Sequence, residues 1–393
     1  MIRIVLAPDS FKGSLAAPDV CAALARGIVR AIPDAQIRAR PMADGGEGTL
    51  DAVLSAVGAA GRRLVRDVAG ADGAPVHAAY GVIETQDGTT AGPTAVIEVA
   101  QVVGITDARA MAAPLADRST RGVGELVVAL LDAGVRRFMI GLGGSSTNDG
   151  GSGLLAALGV ALLDADGRAL PATPRALTRL ARVDATTLDA RVGQSSLRIM
   201  SDVNNPLTGA LGATAVFGPQ KGVAPGDVAA LDATLGRFAA LAEGALGRDV
   251  ARQPGAGAAG GLGFALQLVG GTFASGAEVV AKLIGLDAAL ADADWAITGE
   301  GRSDRQTLLA KAPFVVARHA AAHAVPVTLI SGAVDAAALA ELGVHFAGCF
   351  ALPNGPATLA DCIADAARLL EARAEQAARV FAAGRGTPRR TVE

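Results

Sequence analysis

Apolar residues along the chain fall into short runs that obey two different periods. Ile2 to Ala7 is a compact β-rich run, the polar loop Pro8 to Ser14 follows, and Val20, Leu24, Ile28 and Ile32 then recur every four residues, the spacing of one helical face. The order strand, loop, helix repeats at once. Gln36 to Arg40 reads as a strand, Ala43 to Gly48 as a glycine-rich turn and Thr49 to Val57 as a helix, a grammar that predicts a parallel α/β layer. From about Leu64 to Ala100 the pattern shifts to short β-prone runs broken by Ala71-Asp72-Gly73 and Gln86-Asp87-Gly88. Both tripeptides read as hairpin turns, so this portion is expected to be antiparallel. Alternation resumes with a helix over Glu125 to Ala133, a strand over Arg137 to Ile140 and, beyond a long glycine-rich loop, an apolar helix over Leu154 to Leu158. Trp295 to Thr298, Val325 to Ile330 and Phe346 to Leu352 read as buried strands. A single final helix from Leu359 to about Ala382 sets Ile363, Ala366, Leu370 and Ala374 on one face.

Both ends of the chain thus share the βα grammar, with different material between them. The expected fold class is α/β with two domains. One is Rossmann-like and discontinuous, formed by residues 1–65 and 290–383; the other is a mixed α/β domain inserted at 66–289, with an active-site cleft between the two and a disordered tail at 384–393. At 393 residues the chain is long enough for such a pair.

Composition narrows the function classes. A net charge of −3 and only 3% aromatic residues argue against nucleic-acid binding, which needs basic patches and stacking platforms. Glycine is the outlier at 50 of 393, about twice its usual share of roughly 7%, so the fold must contain many tight turns or close backbone approaches. Cys21, Cys349 and Cys362 form neither a zinc pattern nor an even disulfide set, which fits a reducing, intracellular setting. The apolar N-terminal run is too short for a signal-peptide core, and the uncharged stretch between Arg252 and Glu278 is crowded with glycine and carries Gln267 and Ser275. A soluble, cytoplasmic protein is expected, with small molecules as partners and neither nucleic acid nor membrane among them.

Six polar, glycine-rich segments each follow an apolar run and lead into a helix: Asp9 to Ser14, Asp44 to Thr49, Gly141 to Gly151, Ser201 to Pro206, Phe217 to Gly222 and Thr298 to Asp304. Open α/β sheets bind ligands beyond the carboxyl ends of their strands, where such segments lie. The third segment reads best as a phosphate cradle, because its glycines free backbone N–H groups and Ser145, Ser146 and Thr147 supply hydroxyls. It is neither a Walker A loop, lacking the Gly-Lys-Ser/Thr, nor a dinucleotide fingerprint, since Ser146 stands where the third glycine would be. Carboxylates in these segments, Asp9, Asp44, Glu47, Asp149, Asp202, Glu300 and Asp304, suit magnesium, which takes one or two carboxylates beside substrate phosphates. For each acid singly, helix capping is the competing role. Lys12, Lys221 and Arg302 sit beside glycines and can face an anion, or else be solvated surface charges. His77, His319, His323 and His345 lie outside all six segments, which disfavours metal–histidine and Ser-His-Asp chemistry. The residues alone favour phosphoryl transfer from a nucleotide to a small polar or anionic acceptor. An NAD-dependent oxidoreductase of a small hydroxy acid and a non-catalytic nucleotide-binding protein stay open beside it.

The same segments in the same order resemble the type I glycerate kinases. The matching elements are Ala-Pro-Asp-Ser-Phe-Lys-Gly-Ser at 7–14, Met-Ala-Asp-Gly-Gly-Glu-Gly-Thr at 42–49, Gly-Leu-Gly-Gly-Ser-x-Thr-Asn-Asp-Gly-Gly from 141, Asp-Val-Asn-Asn-Pro-Leu at 202–207, Val-Phe-Gly-Pro-Gln-Lys-Gly at 216–222, Gly-Ala-Ala-Gly-Gly-Leu-Gly at 257–263 and Thr-Gly-Glu-Gly-Arg at 298–302. The resemblance spans nearly the whole chain and implies an ATP- and Mg2+-dependent kinase of D-glycerate with two α/β domains, making 2-phosphoglycerate rather than 3-phosphoglycerate. Two departures stand out: Ser146 replaces a usual alanine, and Arg305 and Ala310 add side chains where the family often has none. The expected site follows. Lys12, Asp44, Asp202 and Arg302 are the catalytic candidates, with Asp44 and Asp202 also the magnesium ligands. Asp9, Ser10, Glu47 and Lys221 join Lys12 and Arg302 in holding substrate, and Gly143, Gly144, Ser145, Ser146, Thr147, Asn148, Gly299 and Glu300 bind the nucleotide.

Overall fold

In a computed structural model of the chain, residues 1–85 and 92–385 are described; the Gln86-Asp87-Gly88 turn and the chain beyond Arg385 lie outside them. The fold is mixed α/β, and the chain divides into two compact units. Met1–Asp44, Asp51–Gly58 and the chain from Ala277 onward form the first, and Gly45–Leu50 with Ala59–Gly276 form the second.

The first unit is built on a five-stranded, wholly parallel sheet. Arg3–Leu6 lies between the edge strand Gln36–Ala39 and the central strand Trp295–Thr298, and Val327–Ser331 and Gly348–Ala351 continue beyond Trp295–Thr298. Strands this apolar are buried on both faces: Ile4, Val5 and Leu6 are fully enclosed, as are Ala296 and Ile297. The helix Ala17–Ala31 carries the four-residue stripe predicted for it and packs Val20, Leu24 and Ile28 into this core with Trp295 and Leu370. Gly27 makes that packing possible, since a Cβ there would stand 2.1 Å from the Glu371 carbonyl oxygen. The expectation of one helix over 359–382 needs correction. The chain forms two, Leu359–Ala364 and Ala366–Gly384, interrupted at Asp365. The break turns the first segment out of register with the second, so Ile363 is 41% exposed while Ala366, Leu370 and Ala374 are buried.

The second unit holds a six-stranded mixed sheet in the order Thr272–Ala274, Ser196–Met200, Arg137–Gly141, Gly92–Glu98, Pro75–Thr85, Gly61–Ala69. The first four strands are mutually parallel and the last two add antiparallel pairs. The antiparallel portion falls where the sequence predicts it, and Gly70 to Ala74 closes its turn with Gly70 N–H donating to the Ala74 carbonyl at 2.7 Å. Helix Arg121–Asp132 buries Val123, Leu126 and Val127 against this sheet's core with Phe138 and Ile140. Among the described residues, no helix is long and apolar enough to cross a membrane.

Candidate active site

In the first unit the strand Arg3–Leu6 is a topological switch point, because its neighbours on the two sides come from opposite ends of the chain. Ligand crevices of open parallel sheets form beyond the carboxyl ends of such strands. Two loops leave there side by side. Asp9 N–H donates to the Gly299 carbonyl at 2.8 Å, and Thr298 Oγ1 donates to the Ala7 carbonyl at 2.8 Å. Gly299 is compulsory at this closure, since a Cβ would lie 1.7 Å from the Ile330 carbonyl oxygen.

These loops, with the turn that carries Asp44, bring together Asp9, Ser10, Lys12, Asp44 and Glu300. Asp9 is 7% exposed and its Oδ1 accepts the Ser10 N–H at 2.6 Å. Burial, reinforced by the negative charge of Asp44, raises its carboxyl pKa to about 7, with Lys12 and the Ser10 N–H pulling the other way. Lys12 projects into solvent with its Nζ 4.0 Å from Asp44 Oδ2. Glu300 is buried and accepts hydroxyl hydrogens from Ser303 (3.1 Å) and Thr307 (2.6 Å), with Lys311 Nζ 3.8 Å away. Burial raises its carboxyl as well, against those three partners. Arg302 is 70% exposed, near Asp304 at 3.8 Å and Asp335 at 4.0 Å. A near-neutral carboxyl flanked by two acids and mobile cations suits proton abstraction from a hydroxyl whose neighbouring groups are anionic.

In the second unit the glycine-rich segments interlock. A Cβ on Gly141 would stand 2.4 Å from the Gly45 carbonyl oxygen, and one on Gly143 would stand 2.6 Å from Gly46 Cα. This close approach accounts for part of the glycine excess. A cavity of about 320 Å³ opens here, with Gly143, Gly144, Ser145, Ser201, Gln220 and Lys221 as its polar lining. Lys221 is 2% exposed, and its Nζ donates to Ser145 Oγ at 3.0 Å and to the Thr147 carbonyl at 2.8 Å.

The rest of the Gly141–Gly151 loop turns inward. Ser146 donates both its N–H (2.8 Å) and its hydroxyl (2.9 Å) to the Val103 carbonyl, and Asn148 Nδ2 donates to Thr214 Oγ1 at 3.0 Å. Ser146, Thr147 and Asn148 are at most 1% exposed. Of the six loop residues expected to hold nucleotide, therefore, Gly143, Gly144 and Ser145 line the cavity, while Ser146, Thr147 and Asn148 build the wall behind it. Asp149 follows its capping alternative: fully buried, it accepts N–H groups from Thr120, Gly151 and Gly153 and the Thr120 hydroxyl. Glu47 and Asp202 are exposed. Asp44 belongs to the first unit and Asp202 to the second.

Two buried charged residues escaped the sequence reading. Glu98, 2% exposed at the carboxyl end of Gly92–Glu98, accepts the Leu50 N–H at 2.5 Å and has its carboxyl raised chiefly by burial. Its signal was present: a lone acid closing the apolar run Ala95-Val96-Ile97. Arg118 is 3% exposed and donates to the carbonyls of Met111, Ala113, Ser146 and Lys221. Nothing in its local sequence marks it.

Parallel-sheet α/β architecture, glycine-loop cavities and carboxylates beside cations define a small-molecule phosphotransferase type of site. The comparisons with known proteins make the class definite. Residues 4–382 match the model of the glycerate kinase family. The chain is 41% identical over 384 residues to a glycerate kinase of Bacillus subtilis (strain 168), covering 96% of this chain and 97% of that one. It is 40% identical over 334 residues to the glycerate 2-kinase of Escherichia coli (strain K12), covering 85% and 86%. Its fold superposes on a crystal structure of a glycerate kinase 2 from Salmonella typhimurium LT2 with a TM-score of 0.84 at 39% identity, over 98% of this chain and 99% of that one. The chain belongs to the glycerate kinase family and is an enzyme of that family. The oxidoreductase alternative finds no support in these likenesses.

Proposed function

We propose that the chain transfers the γ-phosphoryl group of ATP to D-glycerate, with 2-phosphoglycerate as the product. The observation that carries the mechanism is Asp9: a buried carboxyl at the sheet's switch point, with a pKa of about 7 and with Asp44, Lys12 and Glu300 as its charged neighbours. A base poised near neutrality takes the proton of the attacking hydroxyl as the O–P bond forms. Exposed Lys12 and Arg302 swing onto the glycerate carboxylate and onto charge growing on the transferred group. Ser10 orients the Asp9 carboxylate through its N–H. The cavity of Gly143, Gly144, Ser145 and Lys221 takes a phosphate of the nucleotide, while Gly299 closes the Asp9 loop and Glu300 fixes the Ser303–Thr307 turn. Glu47 completes the substrate contacts in this assignment.

Magnesium fits the donor chemistry. Among the described residues no group of three or more His, Cys, Asp or Glu side chains is arranged as a metal cage, and magnesium characteristically binds through one or two carboxylates, phosphates and water. Asp44 in the first unit and Asp202 in the second are each the kind of carboxylate that such an ion takes. When bound, the ion neutralises phosphate charge.

Release of ADP with D-glycerate, ATP and magnesium, followed by phosphorus NMR of the product, tests the proposal. A phosphate ester on the 2-hydroxyl is expected. Inert but well-folded protein refutes the activity, and an ester on the 3-hydroxyl refutes the regiochemistry.

A further inference from the structure

The cavity of the second unit is lined by one buried cation, Lys221, and a second, Arg118, bonds the Lys221 carbonyl from outside that lining. Neither Lys221 nor Arg118 forms an ion pair among the described residues. Lys221 Nζ bonds Ser145 Oγ at 3.0 Å and the Thr147 carbonyl at 2.8 Å, which leaves one position on the nitrogen for a ligand of the cavity that Lys221 lines. Arg118 places its guanidinium against backbone carbonyls, two of which belong to Ser146 and to Lys221 itself, both at 3.0 Å. The buried acid of this region, Asp149, has its oxygens filled by three N–H groups and the Thr120 hydroxyl. A buried ammonium without a carboxylate is costly. A neutral amine is not: it accepts the Ser145 hydroxyl hydrogen and donates to the Thr147 carbonyl, so both contacts survive loss of the proton.

We infer that Lys221 is a proton-taking anion ligand, neutral in the empty cavity and protonated from solvent when the phosphate of a nucleoside phosphate enters, with Arg118 as the positioning residue that ties its turn to the glycine loop. The step balances simply. The amine nitrogen gains one proton from the buffer on binding and returns it when product leaves, and no other bond changes. The electrostatics agree with the geometry. Burial lowers the Lys221 pKa to about 7, and the Arg118 charge adds to that lowering against the attraction of Asp149. An anion beside Nζ reverses the balance, since an opposite charge within contact favours the charged form. The inference rests on the kinase reading for the identity of the anion, and its test is chosen to fail separately.

Calorimetric titration of the full chain with ADP at pH 8, in buffers of widely different ionisation enthalpy, counts the protons exchanged. At that pH a lysine of pKa about 7 is about nine-tenths deprotonated, so uptake of close to one proton per ADP is expected. Lys221→Arg keeps a fixed cation and is expected to bind ADP with no uptake. Arg118→Met removes the neighbouring positive charge, favouring protonated Lys221 in the empty cavity, and is expected to reduce the uptake below the wild-type count. A merely structural Arg118 would change affinity or melting temperature and leave the proton count alone. Heats that do not depend on the buffer in wild-type protein overturn the inference while leaving the kinase reading intact, whatever the variants do. ADP that gives no heat with a protein that turns over D-glycerate overturns it too; no heat and no turnover together overturn both.

Discussion

Two buried aspartates, one in each unit, show how similar sequence signals acquire different work. Asp9 and Asp149 both stand in glycine-containing loops after parallel strands. In the second unit Asp149 accepts four hydrogen bonds, from Thr120 twice and from Gly151 and Gly153, which fixes a loop and opens the helix Ser152–Ala157. Asp9 in the first unit accepts the Ser10 N–H and faces the negative charges of Asp44 and Glu300. A carboxylate whose lone pairs are filled by fixed donors is structural. One that is buried, under-satisfied and pushed toward neutrality is poised to exchange a proton. The units also distribute their cations in opposite ways. Lys12 and Arg302 are about 70% exposed on flexible stems, whereas Lys221 and Arg118 are enclosed. Exposed cations can follow a substrate; an enclosed lysine such as Lys221 can instead gain or lose a proton, while Arg118 stays charged.

The sharpest way to break this contrast is Asp9→Asn. It is expected to lower kcat/KM for D-glycerate by about 10³-fold, in the range for loss of a positioned general base. In the wild type kcat/KM should rise with pH through about 7 as Asp9 ionises, a limb absent from the variant. The stability effect has the opposite sign. The native Asp9 pKa of about 7 exceeds the roughly 3.9 of an unfolded aspartate, so the native state binds more protons between these values and loses stability as pH rises through that window. Asp9→Asn should therefore melt above the wild type at pH 8 and approach it near pH 4. A variant both inactive and destabilised at pH 8 would make Asp9 structural like Asp149.

Lys12→Met comes next, with an expected loss of about 10²-fold in kcat/KM, on the order of 3 kcal/mol of transition-state stabilisation. Its melting temperature should be unchanged because the side chain is 71% exposed. Wild-type kinetics would remove Lys12 from the site. Asp149→Ala should cost about 2–3 kcal/mol in denaturant unfolding, since it strands buried N–H groups at Thr120, Gly151 and Gly153. An Asp149→Ala protein of wild-type stability would dissolve the distinction between the two acids. The smallest effect is Ala310→Gly. Ala310 has φ +64°, in the left-handed region, just where the type I glycerate kinases resembled by the sequence often lack a side chain. Glycine there should stabilise the chain by about 0.5–1 kcal/mol, read from the denaturation midpoint.

Much of this was legible in the sequence because burial on both faces leaves apolar runs that periodicity detects. Trp295–Thr298 and the stripe of Val20, Leu24 and Ile28 announce themselves in that way. The loops were legible because glycine is compulsory where backbones meet, as at Gly299 against Ile330 and Gly141 against Gly45. What the residue pattern hides is which side of a loop faces inward. Lys221 beside Gly222 looks like a solvated turn, yet long-range packing encloses it, and Arg118 draws its partners from carbonyls as distant as Ser146 and Lys221. Ser146, Thr147 and Asn148 read as ligand hydroxyls and amide for the same reason, although Val103 and Thr214 engage Ser146 and Asn148. The interruption at Asp365 escaped notice because a small offset in helical phase leaves the apolar spacing of Ala366, Leu370 and Ala374 intact.

The parallel sheet of the first unit, in which the early strand Arg3–Leu6 lies beside the late strand Trp295–Thr298, bears on biosynthesis. While the ribosome makes the intervening residues, the nascent N-terminal strand has only Gln36–Ala39 to pair with, and its other edge stays open until nearly three hundred residues have been translated. A chain stopped before Trp295 lacks the strand that covers this edge, and an uncovered edge is a template for aggregation.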